Sequence, residues 1–238
     1  MEERDKMISK EIPFRIERKQ LREDLRVKEG SSLAAQLERL MDEAEAVGRP
    51  KTCYRVAYVD GKEEDRVILE GVSFTSRILR VNLARAHRVF PFVATSGREL
   101  EEWLKSTQGM LAQYWADAIS EMALRSAIQN LSEHLANRYR PGPLSRMNPG
   151  SLPDWPLEEQ RSLFAVLGEE PARIGVRLSE DLLMTPIKSV SGIFFPTEER
   201  FESCQLCPRE RCIGRRAPYE PQLYDQKYSS KKTTDFFN

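Results

Sequence analysis

Residues 146–195 open Arg146-Met-Asn-Pro-Gly-Ser-Leu-Pro-Asp-Trp-Pro-Leu-Glu-Glu-Gln160 and close Met184-Thr-Pro-Ile-Lys-Ser-Val-Ser-Gly-Ile-Phe-Phe195. Two irregular segments, rich in proline or small residues, flank one short amphipathic helix. Asp154 or Trp155 is placed to cap that helix, with Pro156 in its first turn. Leu157, Phe164 and Leu167 face one way, and Gly168 ends it. Ile174–Leu178 and Val190–Phe195 then read as strands. Proline presets an extended backbone and removes amide donors. The carbonyls and remaining amides of 146–154 are therefore expected to serve a partner other than a regular ladder, and one arginine beside them suits a ligand carboxylate. A plain crossover between helix and sheet is the alternative.

Outward from there, the chain alternates between the two periods. Ile16, Leu21 and Leu25 give one face of a first helix over 17–27, after a loose leader at 1–13. Ser31 or Ser32 caps a second helix carrying Leu33, Leu37, Leu40, Met41, Ala44 and Val47, which Gly48 and Pro50 end. Cys53–Val59 alternates like a strand, Asp60-Gly61 signals a turn, and Arg66–Glu70 is extended again. Ile78–Leu83 fits strand or helix. Arg88–Thr95 is a short apolar run that reads as a central strand, interrupted by Pro91, which predicts a bulge or an edge position. Ser96-Gly-Arg-Glu99 has capping-box spacing before a helix to Ser106. A long helix over 111–139 bears two apolar arcs: Leu111, Trp115, Ala118, Ile119 and Met122, then Leu124, Ile128, Leu131 and Leu135. The pattern predicts an α+β fold, a twisted antiparallel sheet flanked by helices. The division expected is an N-terminal helical segment 1–50, an α+β core 51–219 and a disordered tail 220–238.

The 238 residues carry 37 basic and 37 acidic side chains, a formal net charge of zero. A globally basic nucleic-acid footprint is absent. No apolar run reaches the ~20 residues of a membrane span, and the charged start lacks the apolar core of a signal peptide. These features predict a soluble, cytoplasmic protein with neither nucleic acid nor membrane as partner. No phosphate loop, nucleophile elbow or His-Glu-x-x-His helix is present. His134, between Leu131 and Leu135, reads as a packing or surface residue, and His87 lies in a basic segment.

Cys204-Gln-Leu-Cys207-Pro-Arg-Glu-Arg-Cys212 brings three soft ligands into nine residues. That spacing suits zinc or an iron–sulfur cluster, with Cys53, His87 or His134 as a distant fourth ligand. Arg209, Arg211, Arg215 and Arg216 would favour thiolate. A redox-active thiol site, or cysteines with no special role, are the alternatives.

At Arg146, Pro149, Gly150, Asp154, Trp155, Pro156, Leu157 and Gln160, and again at Leu178, Glu180, Met184, Pro186, Lys188, Ser189, Val190, Ser191 and Gly192, the chain resembles the activation, or S-adenosylmethionine-binding, domain of cobalamin-dependent methionine synthase. It is most similar to stand-alone anaerobe versions, which also carry a Cys-x-x-Cys-x-x-x-x-Cys run. Ala94-Thr-Ser-Gly97 and Asp117-Ala-Ile119 add weaker likeness. The resemblance implies reductive methylation of cob(II)alamin, held by a corrinoid-binding protein or the methionine synthase core. S-adenosylmethionine would give the methyl group, and a flavodoxin- or ferredoxin-like donor the electron. By match, Arg146 would take the methionine carboxylate and Met147, Asn148, Pro149 and Gly150 would lie along the adenosine, with Ser151, Ser189, Ser191 and Gly192 adjoining. Two positions depart from the pattern. Ser151 replaces a tyrosine, beside one extra residue. Arg125 falls where a helix carboxylate meets the ligand's ammonium, which leaves Glu121, one turn earlier, for that task. The alternative functions are a metal- or cluster-bearing electron-transfer accessory protein and a non-catalytic docking protein.

Overall fold

A computed structural model describes residues 7–212 and 214–229. Its elements, in order, are β1 (Met7–Glu11), α1 (Arg18–Asp24), α2 (Ser32–Val47), β2 (Lys51–Arg55), β3 (Ala57–Lys62), β4 (Arg66–Leu69), β5 (Val72–Thr75), α3 (Arg77–Asn82), β6 (Arg88–Thr95), α4 (Arg98–Ser106), α5 (Met110–Tyr139), β7 (Leu144–Met147), α6 (Gln160–Leu167), α7 (Glu170–Arg173), β8 (Arg177–Leu178), β9 (Met184–Thr185) and β10 (Ser189–Pro196).

The apolar run Val89–Ala94 forms the centre of an antiparallel sheet. On one edge β6 pairs with β10, Ser189 opposite Thr95 through Phe194 opposite Phe90. On its other edge β2 and β3 lie end to end in one register, from Lys51 opposite Thr95 to Tyr58 opposite Arg88. β1 flanks β2, β4 and β5 continue outward from β3, and β7 flanks β10. Because successive strand residues face opposite ways, β6 feeds two cores. Phe90, Phe92 and Ala94 pack with Tyr54, Phe194 and the Leu124, Ala127, Leu131 and Leu135 stripe of α5. Val89 and Val93 pack with Ile193, Trp155, Leu163 and Val166 on the α6 side. A strand covered on both faces reads as a continuous apolar run.

Pro91 therefore lies mid-sheet, not at an edge. The ladder to the β2–β3 strand lapses between Tyr54 opposite Phe92 and Ala57 opposite Val89. Pro91 sits in that interval and has no N–H to give. The two arcs of α5 serve different neighbours. Trp115 and Ile119 pack on α2 and Leu100 of α4, whereas the second arc lies on the sheet.

Several local expectations change. Met7–Glu11 is an edge strand on β2 rather than a loose leader. Asp60 and Gly61 lie inside β3, where the β4 register shifts, and the tight turn is at Glu70-Gly71, both with positive φ. Gly97, not Ser96, precedes α4, with φ +96° and no side-chain cap, and Glu99 Oε1 meets Lys51 Nζ at 2.7 Å. Ser31 does cap α2, accepting from Ala34 N at 3.1 Å. Gly48 ends α2 without a left-handed turn: a Cβ there would lie 2.6 Å from the Phe14 ring.

Asp154 does not cap its own helix. Its Oδ2 accepts from Ile78 N at 2.9 Å and from the Ser76 hydroxyl, fastening the start of α3 from across the fold. The helix after it begins with a 3-10 turn at Leu157–Glu159. Residues 220–229 are docked, not loose. Tyr228 is fully buried, its hydroxyl donates to Asn82 Oδ1 at 2.9 Å, and its ring meets Phe201 edge-on. The rest of the tail expected to be disordered, 230–238, lies outside the described residues.

Asp154→Ala removes a charged acceptor from the Ile78 amide and the Ser76 hydroxyl, and urea denaturation should show a loss of about 1.5–3 kcal/mol. Tyr228→Ala should cost about 3–5 kcal/mol, the range for emptying a large aromatic site. A wild-type urea midpoint in that variant would show the 220–229 segment to be undocked.

Candidate functional site

Edge strand β7 sets Arg146 opposite Phe194 of β10. The strand period sends Met147 the other way, into the α6-side core, where it is 1% exposed. Arg146 lies over the Phe194 ring, 5.7 Å from its centroid, and Phe194 in turn packs on Phe92 at 4.7 Å. The Arg146 Nε is buried with no hydrogen-bond partner, and no described carboxylate pairs with this side chain. A guanidinium N–H left without a partner in a protein interior is costly, and here it stands at the wall of a cleft.

That cleft, about 610 Å³, separates α5 from the β7–β10 edge. Glu121, Arg125 and Ile128 come from α5, and Leu144, Arg146 and Phe194 from the strands. Arg200, Glu202, Arg215 and Arg216 close it from the C-terminal segment. The volume falls in the usual range for small-molecule sites. Glu121 thus shares a cleft with Arg146, but so does Arg125, whose Nε donates to Glu121 Oε1 at 3.2 Å. Lys188 Nζ lies 3.0 Å from Asp117 and 3.9 Å from the second Glu121 oxygen. The acid is held between two cations.

The proline-rich rail is tied to itself. Gly150 N donates to Trp155 O at 2.8 Å, Ser151 N to Asn148 O at 3.2 Å, and the Ser151 hydroxyl to that same carbonyl. Asn148 Nδ2 reaches Ser191 O at 2.6 Å, stitching β7 to β10. Gly192 is required at that stitch, since a Cβ would fall 2.4 Å from Asn148 Nδ2 and 2.5 Å from Met147 O. Ser189 Oγ binds Thr95 Oγ1 and Pro186 O, and Ser191 is buried. Of the expected ligand set, Arg146 and Glu121 line the cleft. Met147, Asn148, Pro149, Gly150, Ser151, Ser189, Ser191 and Gly192 do not; those with described bonds build the strand pair and turn behind it.

The four-cysteine metal set is not assembled. Among the described residues no group of three His, Cys, Asp or Glu side chains is gathered to hold a metal. Cys53 lies in β2, fully buried, and burial pushes its thiol up to about 12, which opposes the thiolate a metal needs. Arg215 does not face the thiols. It donates to the carbonyls of Cys204 at 3.1 Å, Cys207 at 3.3 Å, Ala217 at 3.4 Å and Arg209, so a guanidinium forms the hub of this loop. His134 is a packing residue, its Nε2 2.8 Å from the buried Tyr54 hydroxyl.

A larger hollow, about 790 Å³, adjoins Asn82, Arg85, His87, Pro141 and Pro196. Its charges pair off, Arg85 with Glu198 at 2.6 Å and Lys227 with Glu199 at 3.7 Å. No residue of the expected ligand set lines it.

The C-terminal wall of the cleft escaped sequence reasoning. Arg200, Glu202, Arg215 and Arg216 lie more than fifty positions from Arg146. The signal that could have found them was the density of arginine around the cysteines. With the native protein, Ellman's reagent should titrate three thiols, Cys204, Cys207 and Cys212, and the fourth only after denaturation. Four fast equivalents would contradict the burial of Cys53.

No family model matches the chain, and no curated protein matches it. Among solved structures it is similar to the MetH reactivation domain bound to AdoHcy, with a TM-score of 0.57 and 15% identity over 84% of this chain and 81% of that one. No described helix is long and apolar enough to cross a membrane. The mixed α+β architecture, an antiparallel sheet flanked by helices, is the fold of that reactivation domain.

Proposed function

We propose that this chain binds S-adenosylmethionine in the Arg146 cleft and serves the reductive methylation of a corrinoid carried by a partner, as a stand-alone relative of the methionine synthase reactivation domain. The observation that carries this reading is the buried, unpartnered Arg146 Nε, placed over Phe194 in a ligand-sized cleft that also holds Glu121. The likeness to a reactivation domain solved with AdoHcy supports it, as do the sequence matches around Arg146.

In the overall change, one electron from a flavodoxin- or ferredoxin-like donor and a methyl cation from S-adenosylmethionine convert cob(II)alamin to methylcobalamin and leave S-adenosylhomocysteine. The chain's own contribution is positional. Arg146 offers a planar fork to the methionine carboxylate, and the Phe194 ring beneath supports the guanidinium, whose Nε is buried. Glu121 would take the ligand's ammonium on exchanging its bond with Arg125, a surface pair worth little. The Asn148–Ser191 and Gly150–Trp155 hydrogen bonds hold β7 rigid behind Arg146.

A second reading, a docking protein that retains the fold without the ligand, rests on Arg125 already occupying Glu121. Titration calorimetry separates the two. Wild-type protein should bind S-adenosylmethionine, and Arg146→Ala should weaken that binding by about 1.5–3 kcal/mol. No heat at millimolar ligand favours the docking reading, and an unchanged affinity in the variant removes Arg146 from the site.

A further inference from the structure

The cleft carries more positive charge than the proposed ligand can use. Its lining holds five arginines, Arg125, Arg146, Arg200, Arg215 and Arg216, against two acids, Glu121 and Glu202. The difference, five minus two, leaves three positive charges without a carboxylate in the lining. S-adenosylmethionine is itself a net cation, with a sulfonium and an ammonium against one carboxylate. That ligand accounts for Arg146 and Glu121 and leaves the C-terminal arginines unexplained.

Arg215 and Arg216 are held in place by the loop and by Glu202, and Arg200, 78% exposed, is tethered at the rim by the same acid. Arg215 spends its terminal nitrogens on four backbone carbonyls, which fix its position and leave its charge unneutralised. Arg216 lays its Nε on Glu202 Oε2 at 2.9 Å, and Arg200 reaches the other Glu202 oxygen at 3.3 Å. One largely buried acid, Glu202, whose side chain is 16% exposed, thus holds two guanidinium groups at the cleft wall. The cost is visible: burial holds the Arg216 pKa below its usual value and raises that of Glu202. Arg200 and Arg216, two guanidinium groups on one acid, keep N–H groups to offer phosphate oxygens, while Arg215, its terminal nitrogens bonded to carbonyls, adds charge without a free fork.

We infer that the C-terminal end of this cleft, walled by Arg200, Arg215 and Arg216 and reached by Arg146, is an anion subsite that takes a phosphate group. Two sources share that chemistry: a soluble phosphate ester, and the phosphodiester in the nucleotide loop of a cobalamin presented by a partner. The subsite itself stands on the geometry above. Assigning its phosphate to a corrinoid rests on the proposed function, under which the phosphate and the methyl donor would share one cleft.

The test uses the full chain and inorganic pyrophosphate as the probe, by titration calorimetry at low ionic strength, with circular dichroism confirming the fold of each variant. Wild-type protein binds. The double variant Arg200→Ala/Arg216→Ala binds at least about tenfold more weakly, the scale of one charge-assisted hydrogen bond. Glu202→Gln, which frees both arginines and keeps the side chain's shape, binds several-fold more tightly, a gain that misfolding does not produce. No binding by wild type, unchanged affinity in the double variant, or no gain in Glu202→Gln overturns the subsite. The source follows from comparing cobalamin with cobinamide, which lacks the nucleotide loop. Preference for cobalamin, lost in the double variant, supports the corrinoid source, and equal binding of the two overturns it. S-adenosylmethionine titrated into the same proteins keeps the outcomes apart: its failure to bind, with pyrophosphate behaving as above, removes the proposed methyl donor and leaves the anion subsite standing.

Discussion

Pairing of β6 on both edges, with both of its faces buried, is the constraint from which the rest of the structure follows. Phe90, Phe92 and Ala94 fix where α5 lies, and Val89 and Val93 fix the layer that contains Trp155 and α6. A fully buried aromatic or aliphatic side chain contributes roughly 1.5–3 kcal/mol, so a one-residue slip of this strand would exchange two packed faces at once. Because β10 pairs with β6 and β7 with β10, the same register sets Arg146 opposite Phe194 and within one cleft of α5. The position of the candidate site is a consequence of strand register.

The cleft is an edge feature in which charge is arranged by the backbone. Arg146 rests on an aromatic face, Arg215 on carbonyls, and Arg200 and Arg216 share a single acid. A cleft lined mostly by one sign of charge raises the local potential and favours an anion. The prolines and glycines of 146–160 serve this arrangement indirectly. They form a self-bonded turn that carries Asp154 to the start of α3 and Trp155 into the core, and so anchor the strand that holds Arg146.

The fold class and most elements were legible in the sequence. Alternation marked β2, β3, β4 and β10, the helical period marked α2 and α5, and of the two candidate capping serines it is Ser31 that serves. The errors share a physical origin. Pro91 read as a bulge or edge residue because its missing N–H was weighed without the lapse in pairing that tolerates it. Asp154 read as a local cap because the groups it satisfies, the Ile78 amide and the Ser76 hydroxyl, lie far away in sequence. The tail read as loose because Tyr228 is one aromatic in a polar stretch, and its pocket beside Phe201 and Asn82 comes from other elements.

The sequence by itself determined the α+β class, the apolar central strand, the two-sided long helix and Arg146 as a residue of interest, because periodicity and backbone chemistry are properties of neighbours along the chain. Only the tertiary structure decided that Arg146 and Glu121 share a cleft with Arg200, Arg215 and Arg216, that the cysteines do not gather, and that Ser189 to Gly192 are spent on pairing. Those outcomes depend on which side chains meet across strands and on what each backbone group is already bonded to, and neither is fixed until the sheet has closed on its two layers.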